Sequence, residues 1–329
     1  MKLFLDIETN MIEDWIHMTD LKTLHCIVVS VDGAEPRQVT ASQLIELCAI
    51  AEIVIGHNIM AFDLPALQKL IGLKLSCPII DTLVVSRLKY PDLRNDDFGT
   101  LNSGFPKELV GSHSLKAWGH RLKLHKGDAP DFTEFSEEML EYCQQDVRVT
   151  VKLYEHLSIA EIDPKAVEVE HKFAEVIRQQ ERNGFFFDVS AAEKLHAALL
   201  REKLEIEAQM RQVFPDKIIN RVSEKTGKPL KPKIEEFNPG SRTQIAERLI
   251  EKYGWQPTEM TPDGRARVDE AVLDSLDYPE AKLLAKYLTC VKRLGQLADG
   301  ENAWLKLHIN GKLHGRVNTN GAVTGRCTH

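Results

Sequence analysis

Hydrophobic and polar positions change period midway along the chain. Up to about residue 160, short apolar runs alternate with helix-like stretches. The runs Lys2-Leu3-Phe4-Leu5-Asp6 and Cys26-Ile27-Val28-Val29-Ser30-Val31 predict strands, the second closed by the turn signal Asp32-Gly33. Further strands are expected over 37–40 and 53–56, and apolar spacing predicts helices over 42–50, 64–70, 81–88, 114–122 and 136–157. Strands followed in turn by helices predict an α/β domain. Ile162-Asp163-Pro164 reads as a break. Helices then dominate, over 165–181, 190–213, 243–253 and 281–295, with a turn at Asn183-Gly184. Residues 215–236 carry Pro, Gly and Lys with little periodicity and are expected to form a loop. No internal repeat and no low-complexity segment is evident.

At about 150 residues per domain, 329 residues leave room for two domains or one large one. An apolar fraction of 43% with 28% charged residues is ordinary for a globular chain with a real core. No apolar run approaches the roughly 18 residues of a membrane helix, which excludes a helical membrane span. The start, MKLFLDIETN, lacks the basic and apolar regions of a signal peptide, so a cytoplasmic location is expected. Cys26, Cys48, Cys77, Cys143, Cys290 and Cys327 form no C-x-x-C pair, which argues against a zinc site or a disulfide framework; they are expected to be buried and reduced. The net charge of −7 is uneven, with −8 over residues 1–160 and +1 over 161–329. An acidic first half is compatible with clustered metal-binding carboxylates, and the second half can still carry a basic patch.

Asp6 and Glu8 stand two apart at the end of the first strand, so both point to one side of the sheet. Taken alone, such a pair is solvated charge. Asp63 follows the strand over 53–56 and opens a helix, where an N-cap is the simple explanation. Asp81 has the same explanation and keeps it. Tyr142 and Asp146 lie at i and i+4 on one helix face, and an Asp in mid-helix is locally unfavourable. The twelve histidines show no metal-ligand spacing, and only His57 and His113 are placed near the cleft. No Gly-rich phosphate loop and no Ser-His-Asp signature is evident.

Taken together, Asp-x-Glu on a first strand, Asn58-x-x-x-Phe62-Asp63, and Tyr142-x-x-x-Asp146 on a helix resemble the DEDD superfamily of 3′→5′ exonucleases, tyrosine subgroup. The resemblance implies a ribonuclease-H-like domain with a mixed sheet and flanking helices, in which four carboxylates hold two divalent metals, Mg²⁺ with Mn²⁺ as a substitute. Carried over, Asp6, Glu8 and Asp146 ligate the first metal, Asp6 bridges to the second, Asp63 supports it largely through water, and Tyr142 orients the attacking water. The chemistry agrees. In-line phosphodiester cleavage needs a nucleophile at neutral pH and a stabilised leaving oxygen, which two ions about 3.5–4 Å apart supply. Mg²⁺ prefers oxygen ligands, and Tyr142, with an ordinary pKa of about 10, suits orientation better than proton abstraction.

The likeness continues past residue 157. Asn183-Gly184-Phe185-Phe186-Phe187-Asp188, Phe237-Asn238-Pro239-Gly240-Ser241-Arg242, Lys292-Arg293-Leu294-Gly295-Gln296 and the ending Asn320-Gly321-Ala322-Val323-Thr324-Gly325-Arg326-Cys327-Thr328-His329 follow the order of family A, polymerase-I-like DNA polymerases, nearest to the replicative enzymes of short-tailed phages. This implies an exonuclease domain over 1–160, a mainly α-helical connector and thumb over 161–310, and the start of a palm over 311–329. The host cytoplasm is the implied location, and DNA, as a 3′ end and as primer–template duplex, is the implied partner. Asn58, Asn238, Ser241, Arg242, Lys292, Arg293, Thr324 and Arg326 are the implied DNA contacts. Lys225 and Lys228 join them from 217–233, where six basic residues face one acid, a charge suited to phosphate tracking. Only 22 residues, 215–236, stand where a phage relative carries a long thioredoxin-binding insertion, which argues against a thioredoxin-like processivity factor. The palm aspartates and fingers helix do not follow the ending, so a second polypeptide carrying palm and fingers is expected to supply polymerase activity. Two alternatives are an assembly and DNA-binding subunit of a split polymerase with little nuclease activity of its own, and an RNA-trimming nuclease. For the first, residues 312–329 are expected to leave strand edges and apolar side chains unpaired.

Overall fold

The computed structural model describes residues 1–10, 18, 20–99, 104–124, 127, 129–222 and 226–329. Contacts divide the chain into two units, Met1–Gly184 with His314–His329, and Phe185–Leu313.

The first unit opens with β1 (Lys2–Thr9), β2 (Leu24–Val31) and β3 (Arg37–Gln38), followed by α1 (Ala41–Ile50), β4 (Ile53–Gly56), α2 (Asp63–Ile71), β5 (Ile79–Asp81) and α3 (Thr82–Lys89). Helices α4 (Leu93–Phe98), α5 (Leu115–Arg121), α6 (Glu137–Leu157) and α7 (Pro164–Asn183) complete it. The strands form one mixed sheet in the order β3-β2-β1-β4-β5. In it β2 runs antiparallel to β1 and β3, while β4 is parallel to β1 and to β5. The expected α/β architecture is present, with β1 longer and β3 shorter than the apolar pattern predicts.

Alternation along β1 sorts its side chains between two layers. Leu3, Leu5 and Ile7 join a core with Leu44 and Cys48 of α1 and Ala66 and Leu67 of α2. Phe4 joins Cys26, Val28 and Ile55 against Cys143 and Val147 of α6. Asp6 and Glu8 have the same parity as Phe4 and therefore face α6. Local chemistry sets the helix starts. Thr40 closes a capping box with Gln43, Ser136 caps α6 through the Met139 N–H, and Asp163 caps α7 with Pro164 in the first turn. The break expected at Ile162-Asp163-Pro164 is thus a helix start.

The second unit contains β6 (Phe185–Phe186), α8 (Val189–Val213), β7 (Lys217–Val222), β8 (Pro229–Glu235), α9 (Arg242–Tyr253), α10 (Glu270–Asp274), α11 (Pro279–Leu294), α12 (Trp304–Leu307) and β9 (Lys312–Leu313). It is mainly helical, as expected. Its core joins Ile206 and Met210 of α8, Ile245 and Leu249 of α9, and Leu284 and Leu288 of α11. Residues 215–236 are not simply a loop: β7 and β8 pair antiparallel, with Ile218 opposite Ile234 and Ile219 opposite Lys233. The signal was weak because both faces of the ribbon are wet and no buried face imposes strict alternation. Among the described residues no helix is long and apolar enough to cross a membrane.

The unit boundaries differ from those drawn on the sequence at 160/161 and 310/311. Helix α7 packs on α3 and stays with the sheet unit. Residues 312–329 are also not left with open edges: β9 pairs with β6, and Asn318 bridges to Thr328. Glu181 at the end of α7 ties the final segment down. Its buried carboxylate accepts the Val317 N–H at 2.6 Å and an Arg178 guanidinium N–H at 2.7 Å, while its carbonyl meets His314 Nδ1 at 2.8 Å. Replacing Glu181 with Ala strands a largely buried Arg178 and an orphan amide, and should cost about 3–5 kcal/mol. The denaturant midpoint of the first unit measures it; a loss below about 1 kcal/mol would show that the segment is held by something else.

Candidate functional site

The carboxylates singled out in the sequence converge at the C-terminal end of β1. Asp6 is half-buried, while Glu8, Asp63 and Asp146 are 5%, 6% and 5% exposed. Solvated surface charge is therefore the wrong description of the Asp6/Glu8 pair. Ligand atoms of Asp6, Glu8 and Cys143 lie within 4.8 Å of one another. The Cys143 thiol donates to Asp6 Oδ2 at 3.4 Å. Burial holds that thiol well above its ordinary pKa, reinforced by the Cys26 thiol and the Asp6 carboxylate, so it is a neutral donor in this setting.

Asp63 reaches the same place from α2. It is not an N-cap: Phe62 occupies that position without a side-chain cap, and Asp63 is the first helical residue. Its carboxylate instead turns inward to the Ile7 N–H of β1, between Asp6 and Glu8 in sequence. Burial, then the carboxylates of Asp81 and Asp146, push its pKa up to about 8. A carboxyl held this far up by burial, with other carboxylates beside it, is one that a divalent cation would return to the ionised form. Asp6 and Glu8 offer hard carboxylate oxygens of the kind Mg²⁺ or Mn²⁺ takes, with the neutral Cys143 thiol beside them.

Helix α6 supplies the remaining groups. Asp146 lies one residue before Val147, which packs on the sheet, and Tyr142 lies one turn earlier with its ring edge-on to Phe132 at 6.0 Å. Tertiary placement thus prevails over the low helix propensity of a mid-helix Asp.

Two contributors were not identified from the sequence. Cys143 is one, read only as a buried filler. Asp81 is the other. It does cap α3 through the Leu83 N–H at 2.9 Å, as expected, yet its two oxygens also accept the Asn58 and Met60 N–H groups at 2.8 and 3.2 Å. Its own N–H donates to His171 Nε2 at 2.8 Å. Asp81 thereby fixes the turn that carries Asn58 at φ +59° and delivers Asp63. Gly56 starts that turn, and a Cβ there would fall 2.7 Å from Ile59. An N-cap residue has no local signal for its second role, because the amides it holds lie more than twenty positions away.

His57 and His113 line one cavity together with Asn58. His57 donates Nδ1–H to Thr82 Oγ1 at 2.9 Å, and Thr82 in turn donates to the Gly56 carbonyl. The six cysteines are free; Cys77 and Cys327 are half-buried and the others buried. Among the other implied DNA contacts, Asn238 forms a turn with the Gly240 N–H at 2.8 Å and Ser241 caps α9. Arg242 begins α9, and Lys292 and Arg293 are exposed at the end of α11. Arg326 Nε meets Thr324 Oγ1 at 3.1 Å, Lys228 is exposed beside β8, and Lys225 lies outside the described residues. Asn238, Ser241, Arg242, Lys228, Lys292 and Arg293 belong to the second unit, whereas Asn58, Thr324 and Arg326 belong to the first with the carboxylates.

Burial, with help from the Arg87 and Arg121 charges, pushes His113 down to about 4 from an ordinary 6.5. The unfolded chain then binds this proton more readily than the folded one, so stability falls as pH drops from about 6.5 to 4. His113→Gln should flatten the pH dependence of the denaturant midpoint across that window by up to one proton. An unchanged slope would remove His113 from the acid response.

No protein-family model matches the chain. It is 34% identical over 84% of its length to the DNA-directed DNA polymerase of Enterobacteria phage T3, and equally to that of Escherichia phage T7. In both cases the chain spans 54% of the relative's length.

Proposed function

Because the chain is a relative of the phage family A DNA polymerases, we propose that its first unit is a 3′→5′ exonuclease that removes nucleotides from DNA ends. The observation that carries this reading is the convergence of Asp6, Glu8, Asp63 and Asp146 from β1, α2 and α6 into one buried acidic centre. A mixed sheet with this centre at the end of β1 supports the ribonuclease-H-like assignment. The mainly helical second unit, with its basic β7–β8 ribbon, supports a thumb that tracks duplex phosphates.

Asp6, Glu8 and Asp146 would hold one divalent ion and Asp63 would support a second. When bound, such ions supply a nucleophile at neutral pH and stabilise the leaving 3′ oxygen. The chain's own residues do the positioning. Asp81 fixes the turn that presents Asp63, the Cys143 thiol holds one oxygen of Asp6, and Tyr142 stands one helical turn before Asp146, where its hydroxyl can orient water for in-line attack.

The test is degradation of a 5′-labelled DNA strand, single-stranded and as a mismatched primer end, with Mg²⁺, Mn²⁺ or EDTA. The expected result is a metal-dependent ladder shortening from the 3′ end that vanishes in Asp6→Ala/Glu8→Ala. A folded wild-type chain that leaves the strand intact under all metal conditions would refute the reading. Tyr142→Phe should retain the ladder but slow it on the order of 10–100-fold, as for groups that orient a metal site without ligating it. An unaltered rate would take Tyr142 out of the reaction.

A further inference from the structure

We propose that Arg87, Arg178 and Arg316 form a phosphate-binding subsite beside the carboxylate centre, which holds the backbone of a single nucleic-acid strand. The subsite rests on the exonuclease reading for its direction, since a strand held there would lead to Asp63.

Three elements remote in sequence bring these guanidiniums together: α3, α7 and the segment after β9. They line a cavity of about 330 Å³ with Asn58, Phe62 and Asn318. Asn58, Arg87 and Asn318 also line a neighbouring cavity of about 870 Å³, so the two meet at Arg87. Phe62 directly precedes Asp63, which sets the cavity against the turn that carries a reactive-centre carboxylate.

Two guanidiniums, Arg178 and Arg316, and two carboxylates, Asp81 and Glu181, act on the Arg87 charge. Arg178 is paired with Glu181 at 2.7 Å, and the other Glu181 oxygen is committed to the Val317 N–H. Arg87 Nη2 donates to the neutral Asn318 Oδ1 at 3.2 Å. Burial, then Arg178, lowers the Arg87 pKa, Arg316 adds to the fall, and Asp81 and Glu181 offset only part of it. Guanidiniums that repel one another around a cavity are relieved by an anion. Planar donors in a fork match phosphate oxygens bidentately. Asn58 and Asn318 supply neutral amides at the same walls, and Phe62 adds an aromatic residue to the lining. A volume of this order suits one nucleotide, and the adjoining cavity extends it along a strand.

The test is equilibrium binding of a short 5′-labelled oligothymidylate to the full chain in EDTA, where no metal-dependent cleavage occurs, across a salt series. Arg87→Gln, Arg316→Gln and the double variant are compared with wild type, and circular dichroism checks folding. Arg316 is exposed, so Arg316→Gln keeps the test valid even if Arg87→Gln fails to fold. Each substitution should weaken binding about tenfold, as for loss of one charge-assisted contact. It should also reduce the slope of log affinity against log salt by about 0.7. Unchanged affinity and slope in both variants would overturn the subsite. Competition by inorganic phosphate identifies the source of the phosphate. If the variants lose only that competition and keep oligothymidylate affinity, the site takes free phosphate and the backbone assignment fails. Arginine-dependent binding in EDTA together with no metal-dependent digestion would sink the exonuclease reading while leaving the subsite in place.

Discussion

Mutual repulsion among buried carboxylates is the constraint around which the first unit is organised. Two like charges about 4 Å apart at an effective dielectric near 20 repel by about 4 kcal/mol, and here acids from three elements share one end of β1. Such an arrangement persists only where the surrounding structure over-determines it. The sheet does so by pairing β1 with β4 up to Phe4 and with β2 through Asp6 and Glu8, opposite Val28 and Cys26, so that the backbone carrying both acids is held. The core on both faces anchors α2 and α6 against the same strands. Asp63 absorbs the remaining strain chemically, holding its proton far above the usual carboxylate range.

Asp81 shows how such a centre is supported at a distance. One side chain satisfies amides at both ends of a gap that spans α2, and His171 on α7 receives its N–H. The Asn58 turn, β5, α3 and α7 are therefore locked together by a single buried residue. Disturbing α7 would be felt at Asp63 without any direct contact. Glu181 plays a comparable part for the final segment, and Asn318, carried by that segment, meets Arg87. The same framework thus gathers the acids at the end of β1 and brings Arg87, Arg178 and Arg316 to the wall of one cavity in the same unit.

The β7–β8 ribbon has a different balance. A two-stranded ribbon is marginal in water, and this one carries exposed Ile218, Val222, Leu230 and Ile234 beside its lysines. Lys217, paired with Glu251 of α9, and Arg248, bonded to the Pro215 carbonyl, tie its base to the helices. Its stability comes from that base and from cross-strand aliphatic pairs rather than from a buried face.

Local pattern alone determined a good deal of this protein. The first four strands, the long α6 with Tyr142 and Asp146 on one face, and the helical character of the second half follow from side-chain period and cap chemistry, which act within a few residues. Tertiary structure alone decided that the acids are buried, that Asp63 faces β1 instead of capping a helix, that Asp81 holds the turn before it, and that Cys143 touches Asp6. It also decided that 215–236 pairs as a ribbon and that Arg87 meets Asn318 across 231 positions. Those outcomes depend on desolvation and on pairings between distant segments, and neither leaves a periodic mark on the chain.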